Sequence, residues 1–467
     1  MESSIIEYEN FHNNFFDTPF LKKENLMASH FIRLVPAALL LTHLVSPAVA
    51  QDTRAIQQEI KALKQSYENR ISKLEAHLKN IQKQQNAQSS MKPTRTLGNK
   101  SIYGNRFNPS IGIVLNGKVS SYSLATSEIA GFGVGEEGER GREGLAIDES
   151  ELNFSANVDD KFYGSLTAAI VREDGEDKVE LEEAYVQSLA GAGLPNGLQI
   201  KAGRAFWTLG YMNEHHAHAD DFADRPLPYR IYLNKAFNDD GAEISYVLPT
   251  KLFTEIGGGV FRGGDFPAGG STTGFDARSV FGRVGGDIGN NASWRAGAYL
   301  LDSDVAERKS NEDGITFIGK SRLFAADFRY TLAPTGNARN SEIILQGEYF
   351  QRDEEGTYNV GSGAVAFDDV SDGWYAQAVY KFSPNWRVGT RFSAMNPAGV
   401  AAGLAGSTLD ASGHDPNTIS VMADWTNSEF SRIRLQYNRE ELSSGKTDNQ
   451  YILQYTMSMG AHGAHAY

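Results

Sequence analysis

The chain has no cysteine, so no disulfide framework can hold it. Beyond residue 50 it has no long apolar run, and nothing approaches the roughly 20 apolar residues a membrane-spanning helix needs. Basic residues are in deficit. Lys and Arg number 44 against 58 Asp and Glu, and the net charge of −14 argues against a nucleic-acid partner. Glycine and aromatics are plentiful, with 47 Gly, 20 Tyr and 25 Phe in 467 residues. In an exported chain that combination points to β-structure, either a soluble β-protein or a transmembrane β-barrel.

Export is read near the start. The segment MASHFIRLVPAALLLTHLVSPAVA (27–50) has a weakly basic beginning, an apolar stretch from Leu34 to Val45, and Ala48-Val49-Ala50 before Gln51. This is the layout of a cleaved secretory signal, and the apolar part is too short for a span. Residues 1–50 are therefore read as signal peptide, with the true start at Met27 because residues 1–26 fit no signal design.

A coiled coil is expected over 51–90. Apolar residues recur at Ile56, Ile60, Leu63, Tyr67, Ile71, Leu74, Leu78 and Ile81, which is heptad spacing with one extra residue near Tyr67. So narrow a stripe needs a partner helix. Residues 91–109 read as a linker.

From 110 to 467 the pattern has period 2. In ELNFSANV, Leu152, Phe154, Ala156 and Val158 share one face, and Glu151, Asn153, Ser155 and Asn157 the other. SRIRLQYNRE, NWRVGTRFSA and QYILQYTMSM alternate in the same way. An apolar face opposite a charged one, in segments of about ten residues, is the dyad pattern of a membrane barrel with a wet lumen. Sixteen such segments are found between residues 110 and 460. Short turns such as Asp159-Asp160, Pro249-Thr250-Lys251 and Ser383-Pro384 alternate with long connections such as 124–148, 206–240, 302–321 and 353–372. The expected fold is all-β: a 16-stranded antiparallel transmembrane barrel, turns in the periplasm and long loops outside, with an N-terminal periplasmic coiled coil. Its expected partners are outer-membrane lipid, the barrel-assembly machinery through the C-terminal strand ending in Tyr467, and two further copies in a homotrimer.

This architecture resembles the phosphate-selective and related substrate-specific porins of Gram-negative outer membranes. NEHHAHADDFADRPLPYR (213–230), FRGGDFPAGG (261–270) and QYTMSMGAHGAHAY (454–467) resemble a family catalogued as zinc-regulated TonB-dependent outer-membrane receptors. The resemblance implies an outer-membrane location and a link to zinc. TonB-dependent transporters have 22 strands and a plug, whereas about 360 residues after the linker suit roughly sixteen strands. In porins of the resembled type the third long loop folds into the lumen, which here is 206–240.

That loop supplies the candidate constriction: Glu214, His215, His216, His218, Asp220, Asp221, Asp224, Arg225 and Arg230. Strand parity puts Lys201, Arg283, Arg329, Arg387, Arg391, Arg432 and Arg434 on the lumen wall, with acids among them such as Glu151, Glu243, Asp327, Glu348 and Asp424. Three readings of His215, His216 and His218 stay open. They fasten the loop to the wall, they bind divalent cations such as Zn2+ in transit, or they take part in catalysis. His462 and His465 extend the metal reading to the tail. No resident cofactor and no catalytic residue are expected. The expected function is passive diffusion through a porin. The alternatives are a zinc uptake channel or receptor and an envelope-tethering protein. Deleting 52–86 should leave a heat-modifiable barrel but weaken its oligomer. An unchanged oligomer on mild gels would give the coil another job.

Overall fold

The computed structural model describes residues 109–460, apart from 174–175, 271–272, 311–313, 362 and 429. The expected signal, coiled coil and most of the linker lie outside the described residues, as do His462, His465 and Tyr467.

Seventeen strands form one antiparallel sheet. They are β1 (Ser110–Tyr122), β2 (Gly144–Ile147), β3 (Ser150–Asn157), β4 (Phe162–Glu173), β5 (Glu176–Ser188), β6 (Leu198–Phe206), β7 (Asn238–Val247), β8 (Phe253–Phe261), β9 (Ala277–Ile288), β10 (Ala292–Lys309), β11 (Thr316–Leu332), β12 (Glu342–Val360), β13 (Gly363–Ser383), β14 (Trp386–Asn396), β15 (Asn417–Ser428), β16 (Ser431–Ser443) and β17 (Lys446–Gly460). The sheet closes where β1 pairs with β17, from Gly112 opposite Gly460 to Tyr122 opposite Gln450. β2 and β3 follow one another along the same edge of β1. Counted as one broken stave they make sixteen, the expected number. The β1–β17 pairing removes the two end strands an open sheet would have, which is what lets strands cross a bilayer.

The strands alternate as a membrane barrel should. Leu115, Val119, Val280, Phe328, Leu345, Val388, Val421, Leu435 and Leu453 are exposed on the outside. Asn116, Thr167, Asp327, Gln377, Arg391, Ser420, Asp424, Arg434 and Gln454 are buried inside. A soluble protein sorts its residues the other way, so the outer surface is built for lipid.

The connections differ from expectation on one side. 302–321 and 353–372 are not loops. β10 and β11 extend to Lys309 and Thr316, and β12 and β13 to Val360 and Gly363. β13 has 21 residues, about twice the 9–11 that a tilted span requires. The turn 172–178 and the connection 441–448 shorten into hairpins in the same way. The surplus holds an apolar cluster of Val305, Ile315, Phe317, Tyr358, Leu404 and Leu409. These stretches lack alternation because both of their faces are polar or covered, so sequence period cannot mark them as strand.

Side assignment is testable on a cysteine-free background. Cysteines replacing Gly361 and Val400, at the tall end, should react with impermeant maleimide on intact cells. Cysteines replacing Lys251 and Asn290, in the short turns, should react only after permeabilisation. Labelling of the short turns from outside would invert or sink the topology.

Candidate functional site

The connection between β6 and β7 turns inward and packs across the lumen. It carries two one-turn 3-10 helices, Met212–Glu214 and Ala217–Ala219, and one short helix, α1 (Leu227–Tyr232). Pro226 caps α1 and Pro228 lies in its first turn, where a missing N–H costs nothing. Trp207, Leu209, Met212, Leu227, Tyr229, Ile231, Tyr232, Leu233 and Phe237 are all buried. They form a core with Phe261, Phe281, Tyr299, Phe350 and Tyr375, which β8, β9, β10, β12 and β13 supply. These strands thus break the polar-inside rule where the loop needs an apolar wall.

The base of the loop is latched. The Asn213 amide donates to the carbonyls of Trp207 (2.7 Å) and Phe237 (3.0 Å), and its oxygen accepts the Phe237 N–H (2.6 Å). Trp207 donates its indole N–H to the Asp239 carbonyl at 2.8 Å. Thr208 donates its hydroxyl to Glu243 at 2.8 Å. Farther in, Glu348 accepts the N–H groups of Tyr211 and Met212 and the hydroxyls of Tyr229 and Tyr375.

The loop's acids meet the wall's arginines. Glu214 takes both Arg283 (2.6 Å) and Arg295 (3.1 Å). Asp221 takes Arg387 at 2.8 Å, and Asp224 takes Arg391 at 2.5 Å. Burial alone would lift the Asp221 and Asp224 carboxyls. Arg387 with Arg329 and Arg434 at Asp221, and Arg391 with Gln436 and Arg230 at Asp224, together outweigh it and hold both below the ordinary aspartate value. Arg432 and Arg434 donate to the loop's own backbone, at the carbonyls of His218 (2.6 Å) and Asp220 (2.7 Å). Arg329 stacks over the Tyr211 ring, and Lys201 donates to the Phe206 carbonyl.

Three of the candidates work differently. The Asp220 carboxylate pairs with Arg225 within the loop, at 3.0 Å. Arg225 then ties the loop to itself through the carbonyls of Met212, His215 and Lys235. Arg230 reaches Glu440 on β16 at 2.8 Å and the Gly138 carbonyl of the β1–β2 connection at 3.0 Å. That second inward segment had no sequence signal.

The three histidines do not form a triad. His215 stacks on Tyr211 and shares its Nδ1 with the Tyr211 carbonyl at 3.0 Å. Burial lowers its pKa. His216 and His218 stack on each other and face wall carboxylates instead. The nearest are Glu151 on β3 and Glu182 and Glu183 on β5. Burial disfavours a charged His216, but Glu151, Glu182 and Glu183 together raise its pKa well above the ordinary value. Parity had put Glu151 in the lumen. It could not find Glu182 or Glu183, or the role of Arg295, because those follow from which wall the loop reaches.

Replacing Asn213 with Ala removes the side-chain partner of the Trp207 carbonyl and of the Phe237 N–H, while the Phe237 carbonyl keeps the Trp207 N–H at 3.3 Å. The loss should be about 1–3 kcal/mol of local stability. Proteolysis within 206–240 should accelerate roughly tenfold or more, with the heat-modifiable barrel intact. An unchanged cleavage rate would mean the latch is dispensable.

No family model matches the chain. An uncharacterised protein of Aquifex aeolicus (strain VF5) is 26% identical over 402 residues, covering 77% of this chain and 80% of that one. Among solved structures, the outer membrane channel DcaP of Acinetobacter baumannii has a TM-score of 0.49 at 15% identity, covering 78% of this chain and all of that one. OmpT, an outer membrane protein of Vibrio cholerae, scores 0.47 at 10% identity, with 77% and 100% covered. An anion-selective porin from Comamonas acidovorans scores 0.45 at 11% identity, with 75% and 99% covered.

Proposed function

We propose that the protein is an outer-membrane channel for passive diffusion of small ions or solutes, narrowed by segment 206–240. The observation that carries this reading is the charged loop pinned across a polar lumen, inside a barrel whose outer face is apolar. Whatever permeates passes alongside the loop and the ion pairs that pin it to the wall. The driving force is the solute gradient, and selection comes from width and fixed charge.

The wall charge is not a free basic ladder. Arg283, Arg387 and Arg391 are each held by a loop carboxylate. Phosphate selectivity wants basic groups available along the path, and arginines tied up in pairs do not supply them. Each pair sets a dipole across the lumen instead, so ion preference depends on which partner faces the open path.

Planar-bilayer recording tests the reading. The refolded protein should give stepwise conductance, and replacing 212–234 with a short Gly-Ser link should raise it several-fold. Replacing Asp221 and Asp224 with Asn removes two negative charges, takes the loop carboxylate from Arg391 and leaves Arg387 held by Asp424 alone, and should shift permeability toward anions. Absence of channel events from correctly folded protein would overturn the proposal. An unchanged ion preference in the Asn variant would put the path away from these pairs.

A further inference from the structure

We propose that Glu151, Glu182 and His216, with Glu149 beside them, bind one divalent transition-metal cation that fastens the luminal loop to the barrel wall. The site is resident and sits between loop and wall, which separates it from ion transit.

The wall is deformed to build it. β4 pairs with β5 so that Thr167 faces Glu183 and Ala168 faces Leu181, which leaves Glu182 as an unpaired bulge residue. In a regular strand one of two consecutive side chains would point at lipid. The bulge turns Glu182 inward alongside Glu183, and re-aiming a side chain is what bulges beside functional sites do. The neighbouring stave is irregular at the same place. It breaks between β2 and β3 at Asp148 and Glu149, and Glu149 and Glu151 then project to the same side. Alternation alone would put Glu149 and Glu151 on one face and only one of Glu182 and Glu183 inward; the bulge brings in the second.

The side-chain atoms at the centre lack hydrogen bonds. His216 Nδ1, Glu151 Oε2 and Glu182 Oε2 are buried without an aligned partner. His216 and Glu151 are at least nine-tenths buried, with side-chain exposures of 9% and 2%. His216 Nδ1 lies 3.3 Å from each of the two oxygens. Ligands on a tetrahedral zinc at about 2.1 Å stand about 3.4 Å apart, so the spacing already fits a cation's first shell. The possible ligand atoms of Glu149, Glu151 and Glu182 all lie within 4.8 Å of one another.

The surroundings fix the tautomer such a site requires. His216 Nε2 lies 3.0 Å from Glu183 Oε2. With the proton on Nε2, donated to Glu183, the Nδ1 lone pair faces the two free carboxylate oxygens. His218 Nδ1 is 2.5 Å from Glu151 Oε1 and holds that carboxylate in place by its other oxygen. A carboxylate behind a ligating imidazole, and a donor behind a ligating carboxylate, are the usual outer supports of a metal site. One imidazole with several carboxylates suits zinc or manganese better than a soft cation.

The competing occupant is a proton on His216 Nδ1, and metal titration separates the two. The full-length protein, refolded in detergent and stripped with chelator, is dialysed against ZnCl2, MnCl2 or MgCl2, and bound metal is counted by mass spectrometry. About one Zn2+ or Mn2+ per chain should remain, with no Mg2+. Replacing Glu182 with Gln or His216 with Ala should weaken binding at least tenfold. Replacing Glu183 with Gln should weaken it about 10–100-fold by loosening the tautomer. Asp221→Asn should bind like the parent. Metal should also slow proteolysis of 206–240 in the parent but not in Glu182→Gln. No stoichiometric binding by folded parent protein would overturn the site in favour of a proton. Binding unchanged by both Glu182→Gln and His216→Ala would do the same. If those variants fail to fold, parent stoichiometry and Glu183→Gln decide. A folded protein that binds one cation but never conducts would refute the channel and leave the site standing.

Discussion

Charge buried in the lumen must find a partner, and much of the architecture follows from that. A sixteen-stave barrel is too wide for its own side chains to fill, and the β6–β7 connection narrows it. The loop carries Glu214, Asp221 and Asp224 into a space enclosed by protein. Leaving one such charge without its partner costs about 3–5 kcal/mol. The wall answers each one: Arg283 with Arg295, Arg387, and Arg391. The wall also supplies acids of its own: Arg283 pairs with Glu255 (2.6 Å), Arg387 with Asp424 (2.6 Å) and Arg295 with Asp327 (3.6 Å), so the arginines are shared between loop and wall. The dependence thus runs from loop to wall, because it is the loop's acids that have no charge to meet outside the lumen.

The apolar half of the loop imposes a second match. Trp207, Tyr229 and Phe237 cannot rest on a charged wall, and the barrel supplies Phe261, Tyr299, Phe350 and Tyr375 on inward positions. These aromatics look like errors in an alternating pattern until the loop is in place. Aromatic and charged wall positions therefore interleave, on β9 as Phe281 and Arg283 and on β10 as Tyr299 and Arg295, and the loop matches each with its own apolar or acidic residue.

Alternation made the wall legible from sequence. Leu152 and Phe154 opposite Glu151 and Asn153, repeated around the chain, fixed strand type and face. The tall hairpins of β10–β13 were not legible, since Thr357 to Asp372 is rich in small and polar residues and reads as loop. Only the partner strand makes it extended. The site was half legible. Acids at 214, 221 and 224 and arginines at 283, 387 and 391 could be named separately, but their pairing could not. Glu182 was out of reach for a sharper reason. A period-2 reading of LEEAY must send one glutamate outward, and the bulge that overrides it exists only in the register with β4.

The two flanks of the loop are held by different chemistry. Toward β9, β10 and β14 the contacts are guanidinium to carboxylate, which stay charged across the pH range in which an outer membrane works. Toward β3 and β5 the loop presents His216 and His218 to carboxylates, and an imidazole can be charged, neutral or metal-bound. A loop tied rigidly on one flank and adjustably on the other can change width only at the adjustable flank. The bulge and the broken stave sit on that same flank, where the ladder has already given up hydrogen bonds. The loop's chemically most variable attachment thus coincides with a bulge and a broken stave of the wall that holds it.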